Sequence, residues 1–348
     1  MDIEKVGKAI AYLRKRAGYT QRDLADCLGV SDKAVSKWER GLGLPDISYL
    51  GKLAILLDTD TDSLLAGDVI HHDKDWGGLL VLDENAYGIS AFTVVYDKPL
   101  ISYLLSHFLL LGIKDICVAC TRSEQKWLEE YFGDGHSLGI RLSYCDNSVE
   151  KIQAFLAEKP KWDNVMAVLG RSFIFGVDQT RFFQRAMLHR DRLTILSLPK
   201  KRNGNIPPIC FDETRKLVDP DDDEKLRTQY DYYEIPVLFC TGEMLKAICS
   251  GDPKTGRIWN LSAPEIKDVP LYTEVLDRGF VEISLDTPDA LADAGDFVRT
   301  VQRACGMTIY CLEEIAWRRG MITQEQLAEF GRANQQTEYG KYILSLCQ

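Results

Sequence analysis

The chain has 348 residues, 45% of them hydrophobic, and a net charge of −10, which is enough for one large core and a second, smaller one. No apolar run reaches the roughly 18 residues of a membrane span and no basic, apolar and small-residue leader opens the chain, so a cytoplasmic protein without a membrane partner is expected. The ten cysteines lie among apolar neighbours, including Cys117 and Cys120 in "ICVACT", and predict core thiols with no zinc site.

The charge is unevenly placed. Residues 1–66 carry ten basic and ten acidic side chains, and residues 1–43 carry nine against six, while the rest of the chain holds the whole acidic excess. A polyanion-binding surface is therefore expected at the N-terminus. There, Val6, Ile10 and Leu13 recur at helical spacing, and "GYTQ" supplies a glycine stop followed by Thr20 as a new N-cap. A short second helix turns Leu24, Ala25 and Leu28 inward. Gly29 makes a sharp turn, and Ser31 caps a third helix whose Ala34, Val35 and Trp38 face the core. Two short helices joined through a glycine turn form a helix-turn-helix.

Periodicity breaks after "DSLLAGD", so the expected division is residues 1–66, a linker over 67–76, and a second domain over 77–348. His71 and His72 have no third ligand in view and read as linker histidines. From Gly77 the strand-like "LLVLD", "DICVAC", "IRLSYC" and "NVMAVLG" alternate with helical runs, which predicts a mostly parallel, Rossmann-like sheet. The helices "PDALADAGDFVRTVQRA", "CLEEIAWRRG" and "TQEQLAEFGRA" then form a tail. The expected fold class is multidomain: an all-α helix-turn-helix domain followed by an α/β domain with a helical C-terminal tail.

The stretch "TQRDLADCLGVSDKAVSKWERGLGLPDI" resembles the lambda-repressor-like, XRE-type DNA-binding family, over about residues 4–66. The resemblance implies that Ser31, Asp32, Lys33, Ser36 and Lys37 line the exposed face of a recognition helix, with Gln21 and Arg40 at phosphates. Trp38 and Glu39 are then structural, and the partner is double-stranded DNA bound by a homodimer or higher oligomer. A small helical interaction module is the alternative.

The larger domain, through "YDKP", "FGDG", "VEISLDTPDAL" and "CLEEIAWR", is similar to bacterial glucose-1-phosphate thymidylyltransferases over about residues 77–347. That family joins a nucleoside triphosphate to a sugar 1-phosphate with magnesium and releases pyrophosphate. The resemblance implies a glycine-rich phosphate loop where this chain has "LDENAYGISAFTVV", a lysine at Ser90, a metal acid at Arg171 in "LGRS", and a second lysine at Asp223. Asp286 in "SLDTPD", the second metal acid that the resemblance implies, persists, as do Glu265 and Asp268. These departures predict a catalytically inactive domain with no catalytic residue, metal or cofactor.

The resemblance also implies a second, regulatory nucleotide site, which would take in Phe175, Gly176, Glu313, Glu314, Ile315 and Arg318. Glu314 and Arg318 are four apart on one helix, so they can present an acceptor and a donor to a ligand or bridge to each other. The expected function is a DNA-binding regulator whose inactive nucleotidyltransferase-like domain senses a thymidine nucleotide, nucleotide sugar or sugar phosphate. The alternatives are a divergent active nucleotidyltransferase with a fused DNA-binding domain, and a domain that only oligomerises.

Overall fold

The structure is a computed structural model of the chain, and it describes residues 2–17, 19–57, 59, 61–67, 76–82, 88–158, 162–200, 209–218, 231–250, 259, 261 and 269–347. The chain falls into two compact units, Met1–His71 and His72–Gln348. Asp223, Glu265, Asp268, His71 and His72 lie outside the described residues, as do residues 83–87 of the divergent loop.

The described residues of the first unit form five helices: α1 (Ile3–Arg16), α2 (Gln21–Leu28), α3 (Asp32–Glu39), α4 (Ile47–Leu56) and α5 (Thr61–Ala66). Their starts are set by local chemistry. Thr20 Oγ1 accepts the Asp23 N–H while the Asp23 carboxylate accepts the Thr20 N–H, a reciprocal capping box, and Ser31 Oγ accepts the Ala34 N–H. Gly29, at φ 74, ends α2 in the left-handed region and redirects the chain into α3. The apolar positions at helical spacing converge on one core, in which Val6, Ile10, Leu24, Val35, Leu53, Leu57 and Leu64 are fully buried.

The second unit opens with β1 (Trp76–Val81), the short antiparallel pair β2 (Val94–Val95) and β3 (Lys98–Pro99), and α6 (Leu100–Leu110). There follow β4 (Asp115–Cys120), α7 (Arg122–Phe132), a 3-10 turn (His136–Leu138), β5 (Arg141–Asp146), α8 (Val149–Glu158), β6 (Asn164–Leu169), β7 (Ser172–Gly176) and α9 (Gln179–Leu188). Then come β8 (Leu193–Lys200), β9 (Cys210–Phe211), β10 (Leu217–Val218), β11 (Asp231–Thr241), α10 (Gly242–Ile248), β12 (Leu271–Val275) and β13 (Phe280–Ser284). The tail is α11 (Pro288–Cys305), α12 (Leu312–Arg318), α13 (Gln324–Ala333) and α14 (Glu338–Leu346).

Seven strands form one sheet in the order β12-β8-β11-β6-β1-β4-β5. Every residue of β1 and β6 is buried, as a central parallel strand covered on both faces requires. Helix α6 is buried along nearly its whole length: it has no Asp, Glu, Lys or Arg, and Ser102, Ser106 and His107 are buried with its apolar residues. The expectation of a mostly parallel sheet needs one refinement: β11 runs antiparallel to both β6 and β8. Its apolar run carries no signal of direction, because a strand buried on both faces loses the alternation that marks a solvated one. Among the described residues no helix is long and apolar enough to cross a membrane.

Candidate functional site

In the first unit, Ser31, Asp32, Lys33, Lys37 and Arg40 are exposed and Ser36 is half-buried. These residues share α3 and its immediate ends, as a recognition helix requires. Glu39 is a structural anchor: its carboxylate accepts from Arg14 Nε at 2.5 Å, from Arg14 Nη2 at 3.1 Å and from Gln21 Nε2 at 2.7 Å. Arg14 also donates to the Tyr19 carbonyl at 2.6 Å. The Gln21 amide is thus committed to joining α2 to α3. Arg40 Nε donates to the Ser36 carbonyl at 3.2 Å, which leaves its guanidinium on the surface.

In the second unit, β4 and β5 succeed β1 on one side and β6 joins it on the other, so the strand order reverses at β1. The crevice outside the carboxyl ends of β1 and β6 is where sheets of this kind receive ligands. Leu82, just past β1, offers its carbonyl to Asn147 Nδ2 at 3.0 Å, and the Gly170 N–H donates to the Val81 carbonyl at 2.8 Å. Arg171 comes next and is half-buried. Strand β13 pairs antiparallel with β7, Ser284 opposite Ser172, and the Leu285 N–H donates to the Arg171 carbonyl at 2.9 Å. That register carries the exposed Asp286 to the same strand end as Arg171.

The two positions at which the resemblance implies metal acids are therefore brought together, with a guanidinium in one and a carboxylate in the other. Magnesium is held by oxygen ligands, which arginine does not supply. The described residues here do not fit the ion. Ser90, at the implied lysine position, is part of a turn: its N–H donates to Thr93 Oγ1 at 3.0 Å, and its Oγ accepts the Phe92 N–H at 3.3 Å.

The residues implied for the second nucleotide site fall on two elements. Phe175 packs its ring on Phe297 at 5.4 Å and Tyr310 at 5.7 Å. Gly176 stands opposite Phe280, where a Cβ would lie 2.3 Å from that ring. On α12, Glu313 is 8% exposed and its Oε2 accepts from the Tyr339 hydroxyl at 2.5 Å; burial raises its carboxyl above the usual range. Glu314 accepts from Arg318 Nε at 2.7 Å and from the Tyr342 hydroxyl at 2.6 Å, so both its oxygens are engaged and the pair braces α12 against α14. Ile315 is buried, whereas the Arg318 side chain is 61% exposed.

Two buried polar groupings escaped the reading of the sequence. Lys98, 6% exposed, meets Asp97 at 2.9 Å and lies 4.5 Å over the Tyr103 ring. Asp97 also accepts from the Tyr103 hydroxyl at 2.9 Å and from Gln302 Nε2 at 3.0 Å. Desolvation pushes the Lys98 ammonium below its ordinary range, against the opposing pull of Asp97. In the second grouping Gln179 bridges His107 Nδ1 at 2.7 Å and the Tyr310 hydroxyl at 2.5 Å, and burial drives His107 down to about 3. The charged "YDKP" and the lone histidine in "LLSHFLLLG" were the available signals.

Comparison with known proteins yields two family matches: a helix-turn-helix model over residues 10–64 and a nucleotidyl transferase model over residues 90–205. The glucose-1-phosphate thymidylyltransferase of Neisseria meningitidis is 32% identical over 263 residues, 72% of this chain and 90% of that protein. Those of Mycolicibacterium smegmatis and Mycobacterium tuberculosis are 32% and 30% identical, over 72% and 73% of this chain and 89% and 90% of theirs. A crystal structure from Bacillus anthracis, assigned as a thymidylyltransferase, superposes with TM-score 0.51 at 12% identity, covering 64% of this chain and 95% of that one, which shows the fold alone.

These findings correct the expectation of a catalytically inactive domain. The relatives that match across the larger domain are named as enzymes, at 26% identity and above. The expectation rested on one divergent loop and three substituted positions, Ser90, Arg171 and Asp223, whereas the match runs through the whole domain.

Proposed function

Because the chain belongs to the glucose-1-phosphate thymidylyltransferase family, we propose that it is a sugar-phosphate nucleotidyltransferase carrying a DNA-binding head. It joins a thymidine nucleotide to a sugar 1-phosphate: a phosphate oxygen of the sugar attacks the α-phosphorus, the α–β bond breaks, and pyrophosphate leaves. The observation that carries this reading is the 32% identity maintained over 90% of a named thymidylyltransferase. Transfer of this kind depends on positioning and on neutralising phosphate charge. With Arg171 at the strand-end crevice, that neutralisation falls to a guanidinium, whose planar fork suits phosphate oxygens.

A second reading extends the first: occupancy of the larger domain tunes DNA binding by a homodimer in the cytoplasm. The exposed Ser31, Asp32, Lys33, Lys37 and Arg40 on and beside α3 favour it. Coupling requires that the ligand prefer one arrangement of the two heads.

The test is pyrophosphate release from thymidine triphosphate and glucose 1-phosphate. Sustained release is expected, and Arg171→Ala should lower kcat/KM by about 10²- to 10³-fold, the usual loss on removing one charge-stabilising donor. Release no faster than in a protein-free blank refutes transfer. For the DNA head, Lys33→Ala should change sequence preference while Arg40→Ala weakens all sites alike and flattens the salt dependence. Unchanged binding in both variants removes α3 from the interface.

A further inference from the structure

The sheet of the second unit has two ends, and the strand-end crevice uses only one. At the other, where β4 and β5 begin, the structure holds a cavity of about 540 Å³, within the usual range for small-molecule sites. Strand β4 is six residues long, so at about 3.3 Å per residue this cavity lies on the order of 17 Å from the crevice. It is a separate site.

Its walls are fixed before any ligand arrives. The Arg141 N–H donates to the Lys114 carbonyl at 2.6 Å and the Leu142 N–H to the Asp134 carbonyl at 2.7 Å, which ties the turn around residues 134–140 to the sheet edge. Gly139, at φ +67, closes that turn so tightly against the α12–α13 connection that a Cβ there would sit 2.2 Å from the Met321 carbonyl oxygen. Only glycine meets both demands, and the C-terminal helices are thereby made one wall of the cavity.

The lining has an apolar part, Ile140, Leu142 and Met321, and a polar rim that mixes signs: Asp115 and Asp134 against Arg141, with Gln326 neutral. Arg141 is 75% exposed and meets Asp115 at 3.5 Å, longer than a good hydrogen bond, so turning it toward a ligand sacrifices little. Two carboxylates against one guanidinium, beside His136, leave the rim with a small acidic excess, so it does not draw a strong anion such as phosphate. It offers acceptors and donors around a patch of C–H surface, the complement of a ring bearing several hydroxyls.

We propose that this cavity is a second small-molecule site, for a neutral hydroxylated ring such as a sugar or the sugar of a nucleoside. Asp115 and Asp134 accept from ring hydroxyls, Arg141 and Gln326 donate to ring oxygens, and Met321 covers the C–H face. The site does not depend on transfer chemistry in the crevice. Its ligand bridges β5 and the α12–α13 connection, so binding stiffens the C-terminal helices.

Hydrogen exchange on the full chain, titrated with D-glucose and separately with thymidine, tests it. Saturable protection is expected in residues 133–143 and 320–327; protection by glucose identifies a sugar site and protection by thymidine alone a nucleoside site. Arg141→Ala, at an exposed position, and Gln326→Glu, which keeps the side-chain oxygen that caps α13 by accepting the Thr323 N–H but removes the amide donor, should each raise the half-saturating concentration about tenfold, the loss expected for a hydrogen bond with a charged or well-placed partner. Arg171→Ala, in the crevice, should leave it unchanged. The proposal fails if neither probe protects these two segments, or if the protection persists undiminished in both cavity variants.

Discussion

The two units hold their polar groups in different ways. In the helix-turn-helix unit most bonds that shape the chain are local: Thr20 with Asp23 and Ser31 with Ala34 are three residues apart. In the larger unit several polar bonds cross long stretches, 72 residues from Gln179 to His107, 131 from Tyr310 to Gln179, and 205 from Gln302 to Asp97. The contrast teaches that a small helical domain can be specified almost turn by turn, while an α/β domain fixes its tail through pairings that exist only once the sheet is built.

The largest expected effect tests Glu39, where the described residues of the first unit depart from this rule. Arg14 and Glu39 are 25 residues apart, and their side chains are 9% and 7% exposed. Glu39→Ala strands a buried guanidinium and removes the partner of Gln21, so a loss of about 3–5 kcal/mol is expected. Urea unfolding of the full chain, followed by exchange at amides of residues 3–66, measures it. A loss below about 1 kcal/mol would show that Arg14 turns out to water, and the first unit would then be held by local bonds and its apolar core alone.

The next effect is a pH dependence in the second unit. His107 is fully buried, its Nδ1 engaged by Gln179, and its folded value of about 3 lies well below the 6.5 of an exposed imidazole. Between those values the unfolded chain binds a proton that the folded chain does not, so stability falls as pH drops below 6.5. From pH 7 to pH 5 this amounts to about 2 kcal/mol, at 1.36 kcal/mol per unit. His107→Leu lowers overall stability by leaving Gln179 short of a partner, yet its stability should fall less steeply with acid by that same amount. An unchanged slope would assign the acid sensitivity to other groups.

How much was legible follows from the same contrast. Caps, the Gly29 turn and the apolar stripe of Val6, Ile10, Leu24 and Val35 are written within a few residues of where they act. The alternation of strand and helix in the larger unit was readable too, whereas the meeting of Arg171 and Asp286 at one strand end is seen only in the Ser284 to Ser172 register. The reversal of β11 was not readable, since nothing in a buried apolar run encodes direction. Nor was the Lys98 grouping: "YDKP" shows a lysine, but that it lies over Tyr103 depends on the fold of α6. The inactive reading, drawn from the divergent loop and from Ser90, Arg171 and Asp223, is overturned by the relatives named as enzymes, which match across the domain.

The smallest expected effect concerns the pair that sequence spacing left open between a salt bridge and a ligand site. Arg318 and Glu314 are 2.7 Å apart; the arginine side chain is 61% exposed and that of Glu314 12%, and an i,i+4 pair whose cation stays in water contributes about 0.3–0.5 kcal/mol. Arg318→Ala leaves Glu314 its bond from the Tyr342 hydroxyl at 2.6 Å, so the carboxylate is not orphaned and α14 stays in place. The melting temperature of the free protein should therefore shift by no more than a degree or two. If a nucleotide docks on this face, the same substitution removes a charge-assisted contact and should weaken thymidine triphosphate by about tenfold with the free protein unaltered. Equal affinity in wild type and variant confines the pair to bracing α12 on α14, and a melting drop of many degrees would mean that Arg318 reaches a partner beyond Glu314.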